Sequence, residues 1–235
     1  MNANSQSDDK FAHSRHVSVT PAIRNRKSHL SNIWVFDSPK NNCRFIVEGD
    51  VAFMHFVLME GDLSISRYDP DPVPVTATID GETRQTKLDA TVYFVDGHQE
   101  WWEFKRSVDS GSDRTGRARQ QLNAQAQAAS HAGIIYKIKT GLDLQGNEIY
   151  FDNWLMLCAA ITRARNQSMY FEARTLESRL DMHRCVSIGS LLTEPDCDPA
   201  IMLAVVAKSL QQGILSAELS KDFFSRKSIV SRRAV

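Results

Sequence analysis

Three residues have the types and the spacing to act on a phosphate ester: Asp89, Glu103 and Lys105. Glu103 and Lys105 are two apart in the run Gln99–Lys105, whose aromatic content predicts a strand, so they share a face. Trp102 and Phe104 fall on the other face and predict a core-facing side. Asp89 lies upstream of Asp96-Gly97, a strong hairpin-turn pair. Residues directly opposed on an antiparallel pair point the same way. A two-residue loop at Asp96-Gly97 sets Asp89 against Phe104, on the wrong face. A three-residue loop, or one bulge, sets it against Glu103 or Lys105. The chemistry therefore requires an odd loop or a bulge, and bulges are common beside active sites. Two carboxylates on one face attract Mg²⁺, which lowers the pKa of a bound water and stabilises charge on phosphate. A lysine beside them positions the attacking water or offsets developing charge. The competing reading is an ordinary acid–base mixture on the exposed side of a hairpin.

A third carboxylate is expected from a helix. Apolar residues from Phe45 to Met59 fall at helical spacing (Val47, Val51, Met54, Val57, Leu58) and Gly61 follows as a stop, which predicts a helix carrying Glu48. Two cations need more negative charge than two carboxylates supply, so Glu48 joins Asp89 and Glu103 as an expected ligand of two Mg²⁺ ions, with Mn²⁺ able to substitute. Asp50 is its rival, and a capping or helix-dipole role competes for both. The run Arg114–Ala132, closed by Gly133, predicts a second helix. Its Arg117, Arg119, Gln121 and Gln125 are candidates for a DNA groove, against the alternative of a solvated helix face. His55, His98 and His131 have no mutual spacing of metal ligands. The four cysteines, Cys43, Cys158, Cys185 and Cys197, form no CxxC pair and read as free thiols.

The elements that position these residues are predicted as follows. Residues 1–30 are polar and read as a flexible arm. Order starts near Ile33, turns at Pro39–Asn42 and enters the first helix. Strands are expected at Ser64–Tyr68, Val75–Ile79, Thr86–Val95 and Gln99–Lys105, with turns near Asp80-Gly81 and Ser110–Ser112. After the Arg114–Ala132 helix come a strand at Ile134–Ile138 and a helix at Asn147–Arg165 that buries Trp154, Leu155, Leu157, Cys158 and Ile161. That order predicts an α/β sandwich over 31–165, a mixed sheet flanked by helices. Residues 166–185 read as an arginine-rich helical linker. A short helix at Ser187–Glu194, a helix capped by Asp198-Pro199 and running through Gln212, and two short strands at Ile214–Leu219 and Phe223–Val230 predict a small winged-helix domain over 166–235. Each part has its own apolar set and capped helices.

The 235 residues carry 28 basic and 28 acidic side chains, and 42% are hydrophobic, which fits a globular protein rather than a uniformly basic nucleic-acid binder. Zero net charge predicts weak intrinsic DNA affinity. Local basic clusters (Arg24, Arg26, Lys27; Arg163, Arg165, Arg174, Arg179, Arg184; Arg226, Lys227, Arg232, Arg233) are phosphate-contact candidates, or else solvated faces. No apolar run approaches a membrane span and no signal-peptide core is evident, so a cytoplasmic protein without membrane contacts is expected.

Asp89, Glu103 and Lys105 resemble the PD-(D/E)xK nuclease signature, with Leu88 in place of its proline. The run Ser38-Pro39-Lys40-Asn41-Asn42-Cys43-Arg44-Phe45-Ile46-Val47-Glu48 resembles the segment leading into the first helix of TnsA-type endonucleases, the nuclease subunits of heteromeric cut-and-paste transposases. Val206-Ala207-Lys208-Ser209-Leu210-Gln211-Gln212-Gly213-Ile214-Leu215 is similar to that family's C-terminal winged-helix domain. The resemblance implies a restriction-endonuclease-like fold and Mg²⁺-dependent cleavage of the 5′ strand at transposon ends. It also implies a DDE-type transposase that cuts and joins the other strand, an AAA+ ATPase regulator engaged by the C-terminal domain, and a bacterial, nucleoid-associated setting during activity. Ala52 stands where the family often has a second acid one turn after the first, a departure that bears on Glu48 and not on the strand residues. The alternatives are a restriction or repair nuclease of the same fold, and a catalytically silent DNA-binding assembly subunit.

Overall fold

The computed structural model describes residues 31–79, 82–106 and 116–234. Phe36, Phe45 and Val47 alternate with outward-facing neighbours, so this stretch folds as a ribbon: β1 (Ile33–Ser38) pairs antiparallel with β2 (Cys43–Glu48), Phe36 opposite Phe45. The helix predicted to begin at Phe45 instead begins after Gly49, as α1 (Asp50–Gly61). Gly49 has φ 96° and ψ 145°, a conformation open to glycine and strained for other residues, and it turns the chain out of the ribbon. The helical spacing from Phe45 was read across this glycine, while Phe45 and Val47 in fact obey a period of two. Glu48 accordingly closes a strand, exposed and opposite Ile33. Helix α1 is buried nearly all round, through Phe53, His55, Phe56, Val57, Met59 and Glu60.

The central sheet has the order β3 (Ile65–Asp69), β6 (Ala90–Phe94), β7 (Gln99–Lys105), β8 (Ile135–Thr140). Neighbours are antiparallel except β7 and β8, which are parallel, so the sheet is mixed. A separate hairpin, β4 (Val75–Ile79) with β5 (Glu82–Thr86), precedes β6. The single strand predicted over Thr86–Val95 is therefore two strands, broken at Lys87–Asp89, where Leu88 is buried. The parallel crossover runs through α2 (Arg117–Ala132), which Gly133 ends in the left-handed conformation at φ 67°. The turn at Asp80-Gly81, the Ser110–Ser112 loop and the predicted helix start at Arg114 lie outside the described residues.

Two layers cover the sheet. Phe104 stacks on His55 of α1 and meets Phe56 edge-on. On the opposite face Trp101 packs with Ala77, Ala124 and Ala128, the last two from α2. Helix α3 (Glu148–Ala164) packs on α1, with Trp154, Leu157, Cys158 and Ile161 inward and Leu155 facing outward, contrary to expectation.

The C-terminal residues form α4 (Tyr170–Met182), β9 (Cys185–Ser187), α5 (Ile188–Leu191), α6 (Pro199–Gln211), β10 (Leu215–Ser216) and β11 (Ile229–Arg232). Asp198 caps α6 by accepting from the N–H groups of Ala200 and Ile201 at 2.8 and 3.1 Å. The two predicted strands shrink to β10 and β11, and β9, too short to show a period, adds a third in the order β10-β11-β9. One apolar cluster runs from Phe36 to Val230, and α6 lies against α3. At this junction the fully buried Glu60 accepts from Tyr68 Oη (2.6 Å), Lys40 N (2.9 Å), Gln211 Nε2 of α6 (2.7 Å) and Ser38 Oγ. Burial pushes the Glu60 carboxyl up, against the pull of these donors. The four cysteines are free thiols, and no helix among the described residues is long and apolar enough to cross a membrane.

Candidate active site

The register of β6 and β7 decides where Asp89 points. Ala90 pairs with Trp102 and Tyr93 with Gln99, and Phe94 N donates to His98 O, leaving Val95-Asp96-Gly97 as a three-residue loop. Gly97 takes φ 92° at its end. Continuing that register one residue back sets Asp89 opposite Glu103, the odd-loop arrangement the chemistry requires. Asp89 sits at the bend before β6, and its Oδ2 accepts from Phe104 N at 2.7 Å. Trp102 and Phe104 face the α1 layer, so Glu103 and Lys105 face α2.

Glu103 is 2% exposed. Its Oε1 accepts from Lys105 Nζ at 2.7 Å and its Oε2 from Gln125 Nε2 at 2.9 Å. Gln125 is fully buried; the same amide nitrogen donates to Lys87 O at 2.9 Å, and its Oε1 accepts from Tyr136 Oη at 2.7 Å. Gln125 thus ties the backbone two residues before Asp89 to the Glu103 carboxylate; these two acceptors fix which way round the amide sits and leave its oxygen to Tyr136 on β8. Lys105 remains partly exposed at the end of β7.

Burial, and after it the charge of Glu103, push the Asp89 carboxyl up from 3.8 to about 6; the Phe104 N–H, Lys105 and Lys87 pull the other way. The Tyr136 hydroxyl is pushed up by burial and by the same two carboxylates.

The other expected residues are placed differently. Glu48 lies on the β1–β2 ribbon, outside the sheet that carries Asp89. Asp50, the first residue of α1, accepts from Asn32 Nδ2 (2.8 Å) and Trp34 Nε1 (2.9 Å), and these bonds hold its carboxyl below the usual range. Gln125, expected on a groove, is an internal strut, because a side chain with no exposed surface cannot line one. Arg119 and Gln121 are exposed. Arg117 opens α2, and its side chain is outside the described residues. Gln125 was visible in the sequence only through its neighbours: Ala124, Ala128 and Ala129 mark the inward side of α2.

Among the described residues no three His, Cys, Asp or Glu side chains cluster as a metal site. Two do face each other, and the charge of one raises the pKa of the other. That repulsion is what a cation between them relieves, and Mg²⁺ takes one or two carboxylates and fills its remaining positions with water. Asp89 and Glu103 fit one such ion; the charge for a second is not assembled. The chain matches no protein-family model and no curated protein.

Proposed function

We propose that this chain is a Mg²⁺-dependent DNA endonuclease of the restriction-endonuclease-like fold, with Asp89 and Glu103 holding the ion and Lys105 beside it. The observation that carries this reading is the opposition of Asp89 and Glu103 on one sheet face, with Lys105 at 2.7 Å from Glu103 and Gln125 bracing both strands. The mixed sheet with helices on both faces is compatible with that fold. A bound Mg²⁺ supplies an activated water and a counter-charge for phosphate. Glu103, held on both oxygens, keeps its geometry without reorganisation. Lys105 projects its ammonium at the open end of β7, where it can meet a phosphate oxygen. Burial and the charge of Glu103 raise the metal-free Asp89 carboxyl to about 6, so proton and cation compete for it.

The order helix, strand, helix, helix, strand, strand over α4 to β11 supports a winged-helix unit. With the resemblance in residues 38–48 and 206–215, this favours cutting of the 5′ strand at transposon ends alongside a DDE-type transposase and an AAA+ regulator. A second reading, a catalytically silent assembly subunit, is favoured by the lack of a third carboxylate clustered with Asp89 and Glu103 among the described residues. One experiment separates them. Purified protein, alone and with a candidate DDE-type transposase, is assayed on duplex DNA carrying that transposase's end sequences with Mg²⁺, Mn²⁺, Ca²⁺ or EDTA. The endonuclease reading expects cleavage with Mg²⁺ or Mn²⁺, none with Ca²⁺ or EDTA, loss in Asp89→Ala and Lys105→Ala, and near wild-type rates in Glu48→Gln. No metal-dependent cleavage in the complete system overturns it in favour of the silent subunit, and full activity in Asp89→Ala overturns the assignment of the site.

A further inference from the structure

Helix α6 is poorly suited to enter a DNA groove. Met202, Ala204, Val205, Val206, Ala207 and Leu210 are buried, and the helix is packed between α3 and α4. Nucleic-acid contact by the C-terminal unit therefore needs another element. The segment between β10 and β11, residues 217–228, lacks regular structure yet is fixed along its length. Asn153 of α3, 2% exposed, donates through Nδ2 to Leu219 O (2.8 Å) and Asp222 O (2.9 Å) and accepts from Phe224 N (2.7 Å). Ile188 N donates to Ser228 O (2.9 Å) and Gly189 N to Arg226 O (2.7 Å). The second approach requires glycine: a Cβ at position 189 would lie 2.9 Å from Arg226 O.

What this fixed loop displays is Lys221, Phe223, Arg226 and Lys227, all exposed, Phe223 at 63%. Lys221 is 3.5 Å from Glu218, and Asp222 is the other acid of the loop. Arg226 and Lys227 have no ion pair among the described residues. Beyond the loop, Arg232 pairs with Asp181, and Arg233 is exposed. Cations and an aromatic on a preorganised loop lose little entropy on binding, and unpaired Lys and Arg gain by releasing counterions from a polyanion. Apolar side chains flanked by cations also wedge into minor grooves.

We propose that loop 217–228 is a docking surface for the backbone of duplex DNA, with Lys221, Arg226 and Lys227 on phosphates and Phe223 at the groove edge. The proposal deepens the endonuclease reading and rests on it for the identity of the polyanion. The chain as a whole carries no net positive charge, so DNA held by the nuclease unit needs such a local anchor. The test uses the full chain and a short duplex in EDTA, where no cleavage occurs, with affinity read by fluorescence anisotropy over a range of salt. Three phosphate contacts predict a log–log salt slope near −2.7 from this loop, about 0.9 per contact. The variant Lys221→Gln/Arg226→Gln/Lys227→Gln is expected to lose that part of the slope and at least about tenfold in affinity. Phe223→Ser is expected to bind several-fold more weakly, and Lys221→Arg/Lys227→Arg to bind as wild type. Thermal melting of each variant identifies any that fails to fold, and the charge-retaining pair then carries the comparison with Phe223→Ser. Unchanged affinity and slope in the folded triple variant overturns the proposal, as does absence of duplex binding by wild type at low salt; a loop that serves an acidic protein instead gives the first of these results. Failure of the endonuclease reading has a different signature, salt-dependent binding through the loop with no metal-dependent cleavage.

Discussion

At Asp89, burial and the facing carboxylate of Glu103 both oppose ionisation, and only the Phe104 N–H and two lysines favour it. With a folded-state value of about 6 against 3.8, the native chain holds this proton more tightly than the unfolded chain does. Protonation therefore favours folding, and the penalty grows as pH rises from about 4 to 6 and is complete above that, on the order of 3 kcal/mol. Asp89→Asn keeps the hydrogen-bond acceptor for Phe104 and removes the charge. It is expected to raise the calorimetric midpoint by several degrees at pH 8, with the gain vanishing below pH 4, while eliminating cleavage. In wild type, proton and cation compete for Asp89, so the Mg²⁺ concentration needed for half-maximal cleavage is expected to rise as pH falls through about 6, the value of the metal-free carboxyl. At Gln125 the expectation is reversed: Gln125→Leu strands Lys87 O, Tyr136 Oη and one oxygen of Glu103. A loss of about 2–4 kcal/mol follows from these unsatisfied groups, whereas Tyr136→Phe costs about 1 kcal/mol; urea denaturation measures both. The shared face of Glu103 and Lys105 was legible because strand period is a local property; Asp89 joined it only on condition of an odd loop, which the Val95–Gly97 loop supplies. Gln125 was not legible, because Gln120, Gln121, Gln125 and Gln127 are equivalent until a sheet docks on one side of the helix.

Elements were legible where local chemistry marks their ends and opaque where packing sets them. Asp198-Pro199 and Gly133 announce a helix start and a helix end, and both stand as expected. Phe45 to Met59 misleads because a short strand of period two runs directly into a helix buried nearly all round, which has no polar face to set its own period. Gly49 was the one available signal. It has open space around it, so Gly49→Ala tests backbone strain alone, at about 1–3 kcal/mol. Gly61, at the end of α1, differs: a Cβ there would lie 2.1 Å from Trp154 Nε1. Gly61→Ala must displace a buried indole and is expected to destabilise more than Gly49→Ala, as chemical denaturation of the two variants will show. Glu48 failed as a helix residue for the same reason Gly49 was overlooked; it closes β2 instead.

For the whole molecule, the order of elements in the C-terminal residues can be read from caps and turns, but their docking cannot, since long-range packing leaves no local trace. The apolar cluster is continuous from β1 to β11, Gln211 reaches Glu60, and Asn153 holds the 219–224 backbone. A fragment ending at Arg165 would expose the side of α3 that meets α6 and leave Glu60 short of one donor. Full-length protein is expected to unfold in a single calorimetric transition, and the fragment to lose its near-ultraviolet dichroism. Two separated transitions would mean that the junction is not cooperative.

The parallel pairing of β7 with β8 sets an order of assembly. Asp89 and Glu103 stand at the open end of one hairpin closed by a three-residue loop, a contact a growing chain can make within microseconds. Tyr136 and Gln125 arrive only after the chain has run out through α2 and returned beside β7, the slow, non-local step of such a sheet. A nascent chain thus brings its two acids together before the strut that orients them exists, and it has Lys105 in place before the loop at 217–228 has been synthesised. The pair of acids is the early part of this molecule and the strut that steadies it is late, so an interrupted chain holds the acids without the means to aim them.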